Sequence, residues 1–160
     1  GRERGEITYV GPPDLDGSVG WMDAISLEEE HESGNVGDEA IDLIYVTLKS
    51  DLPIAPEIEH KPQTYPNIRM ERLLENDRMI VQQGQVEPGQ WTGIYSHPGN
   101  QIYLHIKGGN WSERRGGVQQ TSGYSEAGSV GWIDVVEQSE EHEAGNIGKT
   151  TIDFVLVTLK

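Results

Sequence analysis

The side chains that could hold a ligand or move a proton are concentrated in one stretch of the C-terminal part. Tyr95 and His97 are two residues apart, and Gln101 and His105 follow a Pro-Gly turn at even spacing. Residues two apart in a β-strand project to the same face, so each of these pairs can share a face. If His142 arrives from another strand, the set forms a pocket with imidazoles, a phenol and an amide.

This pocket has the donor types of a metal site, although two of the donors are weak. Imidazole suits Fe, Ni, Zn and Cu, whereas a neutral amide oxygen binds weakly and a phenol must first lose its proton. One hypothesis is a divalent transition metal (Fe, Mn, Ni or Zn) bound by Tyr95, His97, Gln101 and His142. The alternative is a hydrogen-bonded polar interior that needs no ion.

Two residues are candidates for proton transfer, and three aromatic residues are candidates for ligand contact. His105 and Tyr95 could act as catalytic residues, because imidazole titrates near neutral pH and a phenol can donate a proton. The alternative for His105 is an ordinary interior histidine. Trp91, Tyr103 and Trp132 could line the pocket and stack on a planar ligand, or they could simply form part of the core.

Short apolar runs rich in Val, Ile, Tyr and Trp, bounded by Gly, Pro or Asn, predict strands rather than helices. A further strand, less clearly patterned, is predicted within Ile68 to Asn76. The other predicted strands are Ile7–Val10, Val19–Ile25, Ile41–Leu48, Arg78–Gln85, Trp91–His97, Gln101–Ile106, Val130–Val136 and Ile152–Leu159. Short antiparallel strands with tight Gly turns predict a sandwich or a closed barrel, since closure removes exposed strand edges.

The chain contains one long internal repeat. The segment from Gly17 to Lys49 returns 111 residues later as Gly128 to Lys160, and 19 of the 33 paired positions are identical. This period exceeds that of solenoid repeats and suits duplication of a globular domain. The N-terminal copy therefore represents only the back half of a domain.

We expect residues 1–57 to be the C-terminal half of a first domain plus the start of a linker, and residues 58–160 to be a complete domain. A proline-rich crossing near residues 50–66 is typical of a link between domains. A half domain cannot bury its own core and exposes unpaired strand edges, so we expect a homodimer to complete it. Within the repeat, His31 and Asn35 are expected to fix a turn.

Composition excludes several classes of function. The formal charge is −15, from 27 acidic and 12 basic residues, which repels nucleic acid. No run of about 18 apolar residues predicts a membrane span. No leader pattern is evident at the start and the chain has no Cys, so we expect a cytoplasmic protein without disulfides or a thiolate nucleophile. The sequence also lacks a phosphate-binding glycine loop, a serine nucleophile elbow and a His-Glu-x-x-His zinc motif.

The stretch from Gly89 to Gly108 and the pair His142 and Asn146 resemble the two motifs of the cupin family. In the first motif, Gly89, His97 and Gly108 occupy the expected positions. Tyr95 stands where the family has its first His, and Gln101 stands where it has Glu. In the second motif His142 and Asn146 match, and Glu137 occupies the position usually held by Pro.

The resemblance implies an all-β fold, the cupin double-stranded β-helix or jelly-roll barrel, with an N-terminal half-cupin and hence a bicupin origin. It implies two classes of function. The first is a metal-dependent enzyme of isomerase, lyase or dioxygenase type acting on a small organic molecule in the barrel. The second is a non-catalytic cupin that serves as a small-ligand binding or assembly module. A fold alone does not decide between them.

Overall fold

A computed structural model of the chain describes residues 14–26, 28, 32–48, 61–97, 99–136 and 141–160. The chain divides into two compact units, Gly1–Pro53 and Ile54–Lys160. All strands among the described residues belong to the second unit. The described part of the chain contains no helix that is long and apolar enough to cross a membrane.

The second unit is built from eight strands in two antiparallel sheets. A five-stranded sheet has the order β1-β2-β8-β3-β6, and a three-stranded sheet has the order β5-β4-β7. The all-β antiparallel prediction is confirmed, and the described residues contain no helix. The strands are β1 (Met70–Glu75), β2 (Met79–Val86), β3 (Gln101–Lys107), β4 (Gly109–Arg115), β5 (Val118–Ser125), β6 (Val130–Ile133), β7 (Glu143–Asn146) and β8 (Ile152–Leu159).

The strand register defines which residues share one face of the large sheet. Gln101 pairs with both Thr158 and Ile133, and Ile80 pairs with Thr158 on the other side of β8. Because side chains alternate along a strand, every second residue from these positions lies on the same face. We call it the inner face. Its members are Ile80, Gln82, Gly84, Val86, Gln101, Tyr103, His105, Gly131, Ile133, Ile152, Phe154, Leu156 and Thr158.

Strands β2 and β8 lie in the interior of the large sheet, and both are nearly continuously buried. Ile80 and Leu156 are buried on the inner face, while Val81 and Val155 are buried on the opposite face. A strand covered on both faces favours an apolar run instead of alternation, and β8 has one, whereas β2 is apolar at Met79–Val81 and then buries Gln82 through hydrogen bonds. Burial of each such side chain contributes about 1.5–3 kcal/mol, so this pair of strands stabilises the sheet on which the site is built.

The predicted strands of the second unit are largely correct, but three real strands were missed. Strands β4 and β5 are polar and form a hairpin, and β7 contains only four residues. Gly116 and Gly117, both with positive φ, connect β4 and β5. A Gly-Gly pair between two runs is a hairpin signal of the sequence, because a two-residue turn of this kind needs positive φ at both positions.

The predicted strand Trp91–His97 is not continuous. It forms only isolated bridges, from Trp91 to Gly145, from Tyr95 to His142 and from His97 to Val136. From Trp91 to Tyr95 the chain advances four residues, whereas the paired segment from Gly145 back to His142 advances only three. The first segment thus has one extra residue, as in a β-bulge. Gly93 lies inside this bulge with φ of 79°. The extra residue interrupts the alternation on which the prediction of a single shared face depended.

The segment at residues 61–66, which the sequence analysis assigned to a linker, packs inside the second unit. Gln63 is buried there, and its backbone N–H donates to Oε1 of Gln82 at 2.8 Å. The Gln82 amide returns a hydrogen bond to the Gln63 carbonyl at 3.0 Å. The Gln82 side chain thus bonds to the same backbone groups of Gln63 that a neighbouring strand would bond to. The proline-rich segment is therefore held against β2 without forming a strand.

In the first unit, residues 14–26 and 32–48 form no strand. The strands expected at Val19–Ile25 and Ile41–Leu48 are therefore wrong, and Ile7–Val10 lies outside the described residues. A strand exists only where a neighbouring strand accepts its hydrogen bonds, and no described residue of the first unit forms such a neighbour. Local turns do form: the Asn35 side chain accepts from the Gly37 N–H at 2.8 Å and donates to the Glu39 carbonyl.

Candidate functional site

Two imidazoles and one phenol meet in the second unit where the bulged segment crosses β7. The Tyr95–His142 bridge places their rings 4.6 Å apart, and the rings of His97 and His142 are 5.2 Å apart. Tyr95 contacts His97 edge-on at 5.1 Å between ring centroids. The three side chains thus form one cluster, which we call the ring cluster.

Gln101 attaches the ring cluster to the inner face. Its Oε1 lies 2.7 Å from Nδ1 of His97, and its Nε2 donates to Oε1 of Gln63 and Oγ1 of Thr158 at 3.1 and 3.0 Å. Because the amide nitrogen is used by two acceptors, its oxygen faces the imidazole, and Nδ1 of His97 carries the proton. The lone pair of His97 is then on Nε2.

Burial determines the protonation of the ring cluster. Burial lowers the pKa of His97 to about 4, against the opposing effect of its hydrogen bond to Gln101. Burial also raises the pKa of the Tyr95 phenol, and the nearby carboxylate of Glu113 raises it further. At neutral pH the site therefore contains a neutral imidazole at His97 and a protonated phenol at Tyr95.

Glu113 and Tyr65 belong to the site and were missed in the sequence. Glu113 lies on β4, two residues after Trp111, which packs on the apolar core. Tyr65 contacts Tyr95 edge-on at 4.5 Å, and burial raises its pKa well above the ordinary value. Neither residue was singled out as part of a family motif, and only the fold brings them to Tyr95.

A pocket of about 580 Å³ opens beside the ring cluster. It lies between the 61–66 segment and the bulged segment, and Tyr95 is common to the pocket and to the ring cluster. Its volume is within the usual range of small-molecule sites. The lining residues are Lys61, Pro62, Gln63, Thr64, Tyr65, Pro66, Ile94, Tyr95, Ser96 and Glu141.

The four residues predicted as metal ligands are brought together, but as a set they do not fit a resident divalent ion. His97 and His142 offer imidazoles, whereas the Tyr95 phenol stays protonated and both ends of the Gln101 amide are already hydrogen-bonded. Nδ1 of His142 is buried and has no hydrogen-bond partner. Among the described residues, no group of three or more His, Cys, Asp or Glu has the arrangement of a metal site.

His105 is separate from the ring cluster. It lies four residues beyond Gln101 on β3, about 13 Å along a strand, and its ring contacts Tyr103 at 5.3 Å. Burial lowers its pKa, and its Nδ1 is buried without a partner. Tyr95 and His105 were each predicted as candidates for proton transfer, and of the two only Tyr95 belongs to the ring cluster.

The three predicted pocket aromatics occupy three different environments. Tyr103 lies on the inner face, with its ring over Gly131. Trp91 lies beyond the bulge, with its ring over Gly145 and the Arg114 guanidinium 3.8 Å from its centroid. Trp132 is half exposed on the face opposite Tyr103, so it does not join the inner face. None of the three lines the pocket beside Tyr95.

Comparisons with known structures agree with this architecture. No protein-family model matches the chain, and no curated protein is similar enough in sequence to count as a relative. A cupin domain from Bordetella pertussis superposes with a TM-score of 0.52 at 18% identity, covering 62% of this chain and 99% of that one. The likeness shows the cupin fold, and at this identity it shows the fold alone.

Two further structures are similar over a comparable length. A double-stranded β-helix protein from Klebsiella pneumoniae has a TM-score of 0.45 at 21% identity, covering 63% of this chain and 84% of that one. A cupin superfamily protein from Desulfitobacterium hafniense has a TM-score of 0.43 at 14% identity, covering 70% of this chain and 94% of that one.

Proposed function

We propose that the cupin-fold unit binds a small, planar, uncharged organic molecule in the pocket beside the ring cluster, without a metal. One observation carries the proposal: Tyr95 lines the pocket and contacts both imidazoles. A ligand in the pocket therefore meets the protonated phenol of Tyr95, whose ring packs against the two imidazoles.

The chemistry of the pocket supports a ligand with both hydrogen-bond donors and acceptors. The Tyr95 hydroxyl can donate, because its raised pKa keeps it protonated, and the Thr64 and Ser96 hydroxyls can donate or accept. Tyr65 and Tyr95 supply ring surface for a planar group. The pocket lining contains one carboxylate, Glu141, and one ammonium, Lys61, so its charges balance and favour a ligand without net charge.

The test is ligand recovery and binding by the purified protein. Native mass spectrometry of protein purified in a chelator identifies what co-purifies, and calorimetry with that compound measures affinity. We expect Tyr95→Phe to weaken binding at least tenfold, because the phenol hydroxyl is lost while the ring stays. Tyr103→Phe is the matched control, since Tyr103 lies on the inner face outside the pocket, and it should bind as the wild type does.

A second candidate is the metal-dependent enzyme of isomerase, lyase or dioxygenase type. The specific observation that favours it is the His97–His142 pair, with one unpartnered nitrogen at His142. It requires ligands beyond those that the described residues supply. Elemental analysis separates the candidates: stoichiometric Fe, Mn, Ni or Zn, together with binding that disappears in chelator, would replace the metal-free proposal with this one.

Cytoplasmic location and homodimer formation remain proposals that follow from the sequence. Fractionation of cells expressing the full chain, and light scattering of the purified protein, test them directly.

A further inference from the structure

We infer that β5 pairs with β5 of a second copy of this chain in antiparallel register, so that two three-stranded sheets join into one sheet of six strands. The order of the small sheet is β5-β4-β7, which leaves β5 at its edge. This interface shares no residue with the pocket beside the ring cluster. It is also separate from the homodimer that the N-terminal half domain predicts, because it lies entirely on the second unit.

Among the strands that the structure describes, β5 is the longest one at a sheet edge. Edge strands are usually protected from pairing with other chains by charges, a bulge or short length. Strand β1 has three charged residues and a bulge, and β6 has only four residues. The side of β7 that faces away from β4 is bridged by Trp91 and Tyr95. Strand β5 has eight residues and contains neither a charge nor a proline.

The free part of the β5 edge is the regular stretch Thr121–Ser125. Glu113 and Arg114 are neighbours on β4, but their partners on β5 are two residues apart, so Gln120 is the extra residue of a bulge. The Gln120 amide donates to the Val118 carbonyl at 3.0 Å. The beginning of the strand thus supplies one of its own partners, whereas the stretch after the bulge keeps a regular pairing with β4.

The backbone of this stretch is open to a second strand. On the side away from β4, the part of the chain that the structure describes places no strand beside β5. No described residue outside the β4–β5 pair hydrogen-bonds to the backbone of Ser122, Gly123 or Tyr124. The N–H and C=O groups of a strand alternate between its two sides, so every second residue directs both groups to the free edge. An antiparallel strand would satisfy them.

The position of the bulge defines the register of the two copies. A two-fold axis perpendicular to the sheet keeps the faces of both copies on the same side, so each residue pairs with one whose side chain points to the same face. An axis at Gly123 meets this condition and pairs every residue of Thr121–Ser125. An axis at Ser122 would instead bring the extra residue Gln120 into the pairing.

The exposed side chains of the stretch fit those of a second copy. A Cβ on Gly123 would lie 3.0 Å from the Trp111 ring, and Trp111 packs on the apolar core. Gly123 therefore faces the core, and its neighbours Ser122 and Tyr124 face solvent, where Tyr124 is 65% exposed. An axis at Gly123 places Ser122 of one copy opposite Tyr124 of the other, twice. Each pair sets a small side chain beside an aromatic ring and covers part of that ring.

The distribution of charge also suits pairing between two copies. The chain has a formal charge of −15, so two copies repel each other on average. The stretch Thr121–Ser125 adds nothing to this repulsion, because it is uncharged. Arg115 lies at the hairpin end of β5, and Glu126 directly follows the other end and is exposed. Antiparallel pairing brings Glu126 of one copy towards the Arg115 end of the other, whereas parallel pairing would bring like charges together.

A strand of another protein would offer the same backbone groups, but the side chains favour a second copy. The pairing of Ser122 with Tyr124 occurs on both sides of the axis, and the charged ends of the two strands meet with opposite sign. Both properties arise when the sequence of β5 faces itself in antiparallel order. An interface of this isologous kind makes every contact twice. The occupant that fits this edge is therefore the chain itself.

The first test changes the charges at Ser122 and Tyr124 in the full chain and measures association by sedimentation velocity. Ser122→Lys with Tyr124→Lys places lysine opposite lysine twice, and like charges directly opposite each other destabilise strand pairing. We expect this variant to weaken the dimer at least tenfold, although it reduces the net negative charge of the chain. Ser122→Glu with Tyr124→Lys is the matched control, because opposite charges then face each other, and it should dimerise as the wild type does.

Two outcomes of this test overturn the inference. Equal association of the two double variants would show that any dimer forms through another surface, such as the first unit. A wild type that stays monomeric at every soluble concentration would show that a second copy does not occupy the β5 edge. Circular dichroism of both variants verifies that each keeps the strand signal of the wild type.

The second test measures the register by disulfide trapping, for which the chain has no background because it contains no Cys. Full chains with Ser122→Cys are mixed with full chains with Tyr124→Cys under mild oxidation, and we expect a cross-linked dimer of mixed composition. Ser122→Cys mixed with Thr121→Cys is the matched control and should cross-link at least tenfold less, because Thr121 points to the other face of β5. Equal cross-linking in the two mixtures would contradict the proposed register and overturn the inference.

Discussion

Oε1 of Gln101 lies 2.7 Å from Nδ1 of His97, and this hydrogen bond connects the ring cluster to the centre of the large sheet. Gln101 is fully buried and also donates to Gln63 and Thr158. The family pattern has a carboxylate at this position, and here an amide holds a neutral imidazole in one tautomer. The consequence is a polar site organised by hydrogen bonds.

The buried His97 should make the unit less stable in mild acid. Its folded pKa is about 4, below the ordinary value of 6.5, so the unfolded state binds more protons between these two values. The contribution of neutral His97 to the free energy of unfolding is fully present above pH 6.5. It is lost as pH falls towards 4, by up to about 3 kcal/mol. Urea unfolding of the wild type and of His97→Gln across this range measures it. Parallel stability curves for the two proteins would contradict it.

Restoring the family's donors should create metal affinity. The double variant Tyr95→His, Gln101→Glu would place three imidazoles and a carboxylate around the ring cluster, a donor set suited to Fe, Mn, Ni or Zn. We expect it to bind Ni²⁺ or Zn²⁺ at least a hundredfold more tightly than the wild type by calorimetry. Tyr103→His is the control, since Tyr103 lies outside the cluster. Equal metal affinities of the wild type and the double variant would contradict the conclusion that the wild-type side chains do not fit a divalent ion.

Gly131 should tolerate no side chain. A Cβ there would lie 2.3 Å from the Tyr103 ring, so Gly131→Ala should reduce the free energy of unfolding by about 1–3 kcal/mol through overpacking. Adding Tyr103→Ala should offset part of that loss in a double-mutant cycle. Gly20→Ala is the matched control from the repeat, because nothing lies within 4 Å of a Cβ there. Additive effects at Gly131 and Tyr103 would contradict the contact.

Both oxygens of the Asp153 carboxylate should be needed as hydrogen-bond acceptors. It is buried, and its two oxygens accept from the Gln83 and Gln85 amides at 2.8 and 3.0 Å. Asp153→Asn replaces one carboxylate oxygen with an NH₂ group, which would face the N–H donor of a Gln side chain. This should lower the free energy of unfolding in urea by about 1–3 kcal/mol. Asp134→Asn keeps an acceptor for Trp132 at an exposed site and should cost much less. Equal costs in the two variants would be inconsistent with this network.

Much of the fold was predictable because its strands carry local signals. Strand β8 coincides with the predicted Ile152–Leu159, and β2 differs from its prediction by one residue at each end. Strand β8 is a largely apolar run and β2 begins with one, Met79–Val81, and such a run is a local property of the sequence. Polar strands β4 and β5 gave no such signal, and only their Gly-Gly turn could have revealed them.

The sequence alone determined the β class, the internal repeat and the residue types at the candidate site, because composition, periodicity and motif spacing are properties of the chain. Tertiary structure decided which of those residues meet. One extra residue near Gly93 separated Trp91 from Tyr95. The fold brought Gln63 to Gln101, and it brought Tyr65 and Glu113 to Tyr95, from outside any motif. It also decided that the strands predicted at Val19–Ile25 and Ile41–Leu48 do not form, since a strand needs hydrogen-bonding neighbours that only a second segment can provide.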